Sequence, residues 1–383
     1  MSAATAVRRA LPLVLVASVV AAGAAGAWRW YQTARAVGPE RPYQPTEVLV
    51  GGNEPTAPRE TPGQESLENS ALEAAAAYAG EHDSMALIVS RHGYIVFERY
   101  WHGSSFDTPI DAQGFTRLLP ALATGVAISH RVIGWPDEPI GAFIREWSQD
   151  PRGAITVRNL LQSSSGLAGS ALRGTDLPRA LLGMPLASAP GTVRAEQPAD
   201  PQLLALVLER ASGERFAHYL SRVLWRRVGA ADATLWLDHP GGTAHADCCM
   251  LAHQGDWIRV AELLLRDGNY AGAEVIRPGW VTLMRSPGKA DPHYGASLRV
   301  GFDTAGAEPY ALPDLFMVSG SGGNRLWLVP QLQLAILCTG NPRGRDAQWE
   351  DARIPNLIMR GARDYLPPAA RPGADISRLV PGH

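Results

Sequence analysis

Met85-Ala-Leu-Ile-Val-Ser90 and Tyr94-Ile-Val-Phe-Glu-Arg-Tyr-Trp101 are two β-rich runs with Arg91-His92-Gly93 between them. Branched and aromatic residues fill both, and a short turn containing Gly joins them, so they read as a hairpin. Strand patterns return only late, at Leu298 to Phe302, Leu315 to Val318, Leu326 to Val329 and Leu334 to Thr339. The section from about 112 to 285 reads as mainly helical. Phe216, Tyr219, Leu220, Val223 and Leu224 keep the i, i+3, i+4, i+7, i+8 spacing of an amphipathic helix. Asp256 can N-cap a helix through Leu265, with Gly268 closing it. Residues 67–80 also look helical, with Ala71, Leu72, Ala75 and Tyr78 on one side. Strands at both ends with helices between them predict an α+β fold. One antiparallel sheet is assembled from distant segments and flanked by helices, a helical lobe stands beside it, and a cleft lies between. There is no internal repeat.

Composition narrows the function classes. The chain has 383 residues, 46% hydrophobic and 19% charged, which excludes a wholly disordered or collagen-like chain. A net charge of −2 implies no basic face, so no nucleic-acid partner is expected. Three Cys exclude a disulfide scaffold and any four-Cys metal cluster. Lys289 is the single lysine. Any chemistry needing a deprotonable lysine therefore has one candidate, and Arg cannot stand in because its guanidinium stays protonated.

The N-terminal region suggests export. Residues 10–28 carry no charge and follow Arg8 and Arg9, a positive region ahead of an apolar segment. Ala22-Gly23-Ala24 and Ala25-Gly26-Ala27 resemble small-residue cleavage sites of a signal peptide. Trp28, Trp30 and Tyr31 resemble an aromatic interface belt, which favours a retained membrane anchor over residues 1–38. A Pro-rich linker is expected over 39–66, the globular domain over 67–365 and a tail over 366–383. The expected location is the cell envelope, with the domain held at the inner membrane on the periplasmic side, or free in the periplasm if the segment is cleaved.

Further marks appear in a fixed order: Thr124-Gly-Val-Ala-Ile128, Thr156-Val-Arg-Asn-Leu-Leu-Gln-Ser-Ser-Ser-Gly-Leu167, Leu203 to Gly213, Asp256-Trp257, Tyr294-Gly295 and Gly320-Ser-Gly-Gly-Asn-Arg-Leu-Trp327. With the hairpin, they resemble the serine β-lactamase and penicillin-binding-protein superfamily. The closer likeness is to class C β-lactamase-related hydrolases, which include esterases and nylon-oligomer hydrolases. The resemblance covers about 80 to 365 and implies a β-lactamase/transpeptidase-like fold. It also implies three chemical elements: Ser-x-x-Lys opening a helix, a Tyr from the helical lobe, and Lys/His-x-Gly on the cleft strand. In the first, the Lys amine takes the Ser proton across one helix face.

The chain departs from all three. Counting back from Gly125-Val-Ala-Ile128 places the nucleophile position at Gly114 and the base position at Arg117. Thr116 does not rescue the motif, because its +3 partner is Leu119, and Pro120 removes an N–H from the helix start. No Tyr occurs between Tyr100 and Tyr219, and the aligned stretch reads Glu196-Gln197-Pro198. The strand element reads Ser319-Gly320-Ser321-Gly322-Gly323, with no Lys or His.

No catalytic residue is therefore assigned, and standard acyl-enzyme activity is expected to be absent. Arg117, Glu196, Ser319, Ser321 and Asn324 are the candidate ligand contacts. Arg117 competes with a structural ion pair, and Glu196 with a solvated loop. The glycines at 320, 322 and 323 could donate N–H bonds to an oxyanion. Ser163-Ser164-Ser165 reads as a helix-end turn. Cys248 and Cys249 read as buried thiols, and Cys338 as core. His239, His245 and His253 near Asp247 match no metal motif, so no metal and no cofactor are expected. The leading expectation is a degenerate binding or regulatory module, with a small carboxylate or cell-wall peptide as ligand. The alternative is an amide or ester hydrolase with a non-standard nucleophile.

Overall fold

A computed structural model describes residues 43–55, 57–168, 172, 176–301, 308–320, 323–340 and 348–366. In chain order we name the strands β1 (Thr46–Leu49), β2 (Ser84–Arg91), β3 (Tyr94–Tyr100), β4 (Pro109–Asp111), β5 (Ala233–Trp236) and β6 (Met250–His253). They continue as β7 (Arg299–Val300), β8 (Phe316–Ser319), β9 (Arg325–Val329) and β10 (Leu334–Gly340). The helices used below are α1 (Asn69–Glu81), α2 (Leu118–Ser129), α3 (Val157–Leu161), α4 (Ala199–Ser212), α5 (Gln254–Leu265) and α6 (Arg353–Arg360).

The expected sheet is present. It runs β3-β2-β10-β9-β8-β7, antiparallel throughout, so the early hairpin pairs with the last strand. Side chains alternate across it. Leu334, Ile336 and Cys338 face one apolar layer, and Ala335 and Leu337 face the other. Helices α1 and α6 cover the first layer; α5 and the helical lobe cover the second. A sheet buried on both faces reads as near-continuous apolar runs, which is why these strands were legible. The hairpin turn is tighter than expected. β2 reaches Arg91, and His92 and Gly93 form the turn with φ of +51° and +93°. Two positive φ values define the type I′ turn that matches strand twist.

Three expectations need correction. A second antiparallel sheet, β1-β5-β6-β4, was not expected, and its strands β5 and β6 lie within the region read as helical. Its strands are three or four residues long, too short to show a period. The stretch read as a linker packs on the domain: Thr46–Leu49 pairs with β5, and the Asn53 N–H reaches the Ala230 carbonyl at 2.9 Å. Asp256 does not cap α5. It sits within the first turn, after the His253 cap position, and its carboxylate accepts the Ala231 N–H at 3.0 Å.

The N-terminal apolar segment lies outside the described residues. Among the described residues, no helix is long and apolar enough to cross a membrane.

Candidate functional site

The site lies where α2 begins, beside the free end of β8. Pro120 cannot donate to the Thr116 carbonyl, and the chain enters α2 through a 3₁₀ turn, Gln113–Arg117. Asp111 anchors that turn, accepting from Gln113 N at 3.3 Å, Gln113 Nε2 at 3.1 Å and the Tyr43 hydroxyl at 2.7 Å. Burial holds the Asp111 carboxyl above the usual range, against the pull of those donors. Helix α2 is buried on every side from Leu118 to Ala127. The turn is thus carried on an element with no freedom to shift.

Gly114, the expected nucleophile position, is closed by backbone. A Cβ placed on Gly114 would stand 2.5 Å from the Ser319 carbonyl oxygen and 3.0 Å from the Gly320 Cα. Real Cβ atoms do not approach backbone oxygen that closely, so any side chain there requires β8 to move. Thr116 has the one hydroxyl in the motif. It is fully buried with no hydrogen-bond partner, so no base can activate it.

Arg117, expected at the family's Lys position, and Glu196, in the stretch aligned with its Tyr, are joined to each other. Arg117 Nη1 donates to Glu196 Oε1 at 2.9 Å, and its Nε donates to the Asp247 carbonyl at 3.1 Å. Arg194 Nη2 stands 3.4 Å from the other Glu196 oxygen, and Arg194 Nη1 lies 3.6 Å from Asp291 Oδ2. The Arg194 guanidinium also lies over the Tyr294 ring, 3.8 Å from its centroid. Its Nε is buried without a partner. Two guanidinium groups therefore converge on one carboxylate that is 59% exposed, and an exposed pair of this kind contributes only about 0–1 kcal/mol to folding.

The remaining candidates are placed as follows. Ser319 ends β8, and its carbonyl faces Gly114. Asn324 is buried, donates through Nδ2 to the Asp111 carbonyl at 3.0 Å and accepts the Gly340 N–H at 3.2 Å, so its amide ties the end of β10 to the end of β4. The Gly320 N–H, expected as an oxyanion donor, is committed to the Asn324 carbonyl at 2.9 Å. Ser321 and Gly322 lie outside the described residues. Ser163, Ser164 and Ser165 follow α3 as a turn, as expected. Ser165 Oγ donates to Asp200 Oδ1 at 2.5 Å, and Gln197 Nε2 reaches the same oxygen at 3.2 Å. Desolvation at the start of α4 raises the Asp200 carboxyl to about 7. Lys289 is exposed in its loop.

Cys248 and Cys249 correct the thiol expectation: their Sγ atoms are joined as a disulfide between neighbours. Cys249 takes a φ of +70°. Cys338 is core. The three histidines do not converge. His239 pairs with Asp238 at 2.9 Å, His245 with Asp247 at 3.1 Å, and His253 precedes α5.

Sequence reading missed Arg194, Asp291 and the Asp200 network, and took Tyr294 only as a mark of the scaffold. Tyr294 is half-buried, lies near Ser163 and has its phenol raised by desolvation. Nothing in local spacing signals these groups, because they lie on segments far apart in the chain.

A two-sheet α+β scaffold, with a helix-opening turn facing the end of a cleft strand, defines the class of serine β-lactamase-like proteins. The family model described as Beta-lactamase matches residues 70–354, and the chain belongs to that family. One relative, the 6-aminohexanoate-dimer hydrolase of Paenarthrobacter ureafaciens, is 28% identical over 172 residues, 42% of this chain and 37% of that protein. The match thus spans well under half of the relative's length. Among solved structures, a Bacillus anthracis protein provisionally assigned as a 6-aminohexanoate-dimer hydrolase superposes with a TM-score of 0.66 at 15% identity, covering 87% of this chain and 92% of its own. A family VIII carboxylesterase gives 0.64 at 15% identity, covering 82% and 99%. A penicillin-binding-protein homologue from Caulobacter crescentus gives 0.60 at 15% identity, covering 76% and 95%. At these identities the structural likeness establishes the fold.

Proposed function

We propose that this β-lactamase-family protein is a non-hydrolytic binding or regulatory module of the cell envelope whose cleft takes a small carboxylate, such as the free end of a cell-wall peptide. One observation carries the reading: Arg117, expected at the family's Lys position, and Glu196, in the stretch aligned with its Tyr, bond to each other at 2.9 Å. A base and a proton shuttle are replaced by a cation and its counter-ion. A ligand carboxylate that displaces Glu196 gains Arg117 and Arg194, including the unpartnered Arg194 Nε. The envelope location rests on the N-terminal sequence pattern.

Calorimetric titration with a short peptide bearing a free C-terminal carboxylate, against the same peptide amidated, tests this. The carboxylate should bind about tenfold or more tightly, the effect of charge-assisted bonds. Arg117→Ala should abolish the difference, and Glu196→Gln should tighten binding by removing the competing anion. Equal binding of acid and amide, or indifference to Arg117→Ala, contradicts the proposal.

The hydrolase reading has one observation in its favour, the contact between Ser163 and the Tyr294 phenol. It is the weaker reading, because burial raises that phenol and makes it a poor base at neutral pH.

A further inference from the structure

The loop between β5 and β6 carries chemistry that the cleft does not use. His245, Asp247 and Cys249 are 4%, 7% and 6% exposed, and Cys248 is partly open to solvent. The His245 ring is fixed before any ligand arrives. It stacks on Trp236 with centroids 4.5 Å apart and planes 11° from parallel, and its backbone N–H donates to the Trp236 carbonyl at 2.8 Å. One donor atom each from His245, Cys248 and Cys249 lies within 4.8 Å of the others. His245 Nδ1 is 4.0 Å from Cys248 Sγ and 3.1 Å from Asp247 Oδ1.

We propose that His245, Cys248 and Cys249 form a redox-gated site for a thiophilic divalent cation of the Zn²⁺ and Cd²⁺ class, with Asp247 beside the imidazole. Two thiolates and an imidazole, with solvent in the fourth position, suit a tetrahedral d¹⁰ ion and disfavour Mg²⁺ or Ca²⁺, which take oxygen donors. The disulfide is the closed state, since its sulfurs are bonded to each other. Opening takes two electrons and two protons from a thiol reductant. An external dithiol becomes a disulfide as Cys248 and Cys249 become thiols. Cation binding then releases the two thiol protons to solvent. The partly exposed Cys248 is the point of attack for both steps. The site is independent of the carboxylate proposal, although Arg117 Nε bonds the Asp247 carbonyl in the same loop.

The test uses the full chain, oxidised or reduced with a phosphine, which supplies no competing thiol. Cd²⁺ is the probe, read by thiolate-to-metal ultraviolet absorption and by native mass spectrometry, with circular dichroism to confirm folding. Reduced protein should take up one Cd²⁺ per chain, displaceable by Zn²⁺, and oxidised protein none. Cys248→Ser and Cys249→Ser should each weaken uptake about tenfold or more, as should His245→Gln, on the scale of losing a metal ligand or its support. Cys338→Ser should leave it unchanged. No uptake by folded, reduced protein overturns the proposal. So does uptake that persists in the Cys248→Ser/Cys249→Ser double variant, or equal uptake without reduction.

Discussion

Gly114 decides more than any other residue. Its missing side chain lets the end of β8 rest on the 3₁₀ turn, with the Ser319 carbonyl where a Cβ would stand. Restoring the motif residue by residue should therefore fail. Gly114→Ser should cost roughly 1–3 kcal/mol of stability by overpacking, read as a lowered thermal midpoint. The double variant Gly114→Ser/Arg117→Lys should still give no penicillin adduct by intact mass. Asp200 makes a second prediction, about pH. Its carboxyl titrates at about 7 in the folded protein, where an unfolded carboxyl ionises near 4. The folded state thus holds an extra proton between those values. This contribution is complete below about pH 4, is lost as pH rises towards 7, and amounts to a few kcal/mol in all. Denaturant unfolding across that range should show the slope. Asp200→Asn keeps an acceptor for Ser165 and should remove it.

At the level of elements, legibility followed burial and length. The seven- and eight-residue strands β2, β3 and β10 were readable because long apolar runs flank a clear turn. The second sheet was not, because its strands owe their geometry to tertiary pairing more than to their own residues. β1 is the instructive case. Prolines surround it and suggested a tether, yet Leu49 is fully buried and Glu47 bonds Arg215 twice, at 2.8 and 2.9 Å. Removing residues 1–57 should therefore expose the β5 edge and lower the thermal midpoint by several degrees, whereas a tether would be removable without effect. A small change, with protease resistance across β5 kept, would contradict this placement.

For the whole molecule, the order of motifs was enough to read the fold, since each mark falls on an element that builds the sheet or the lobe. The site was half legible. The lack of a Lys in the helix-opening motif, and of any Tyr between Tyr100 and Tyr219, could be read from residue identities alone, wherever the backbone lay. The Arg117–Glu196–Arg194 cluster and the closure over Gly114 could not, because they depend on how distant loops and strand ends meet. The central claim is that this β-lactamase-family scaffold has lost its acyl-transfer machinery. Intact-mass spectrometry of the purified, folded protein with a fluorophosphonate and with a penicillin tests it most directly. The account predicts an unchanged mass with both probes; a stoichiometric adduct mapped to one serine, at Ser163 or elsewhere, would contradict it.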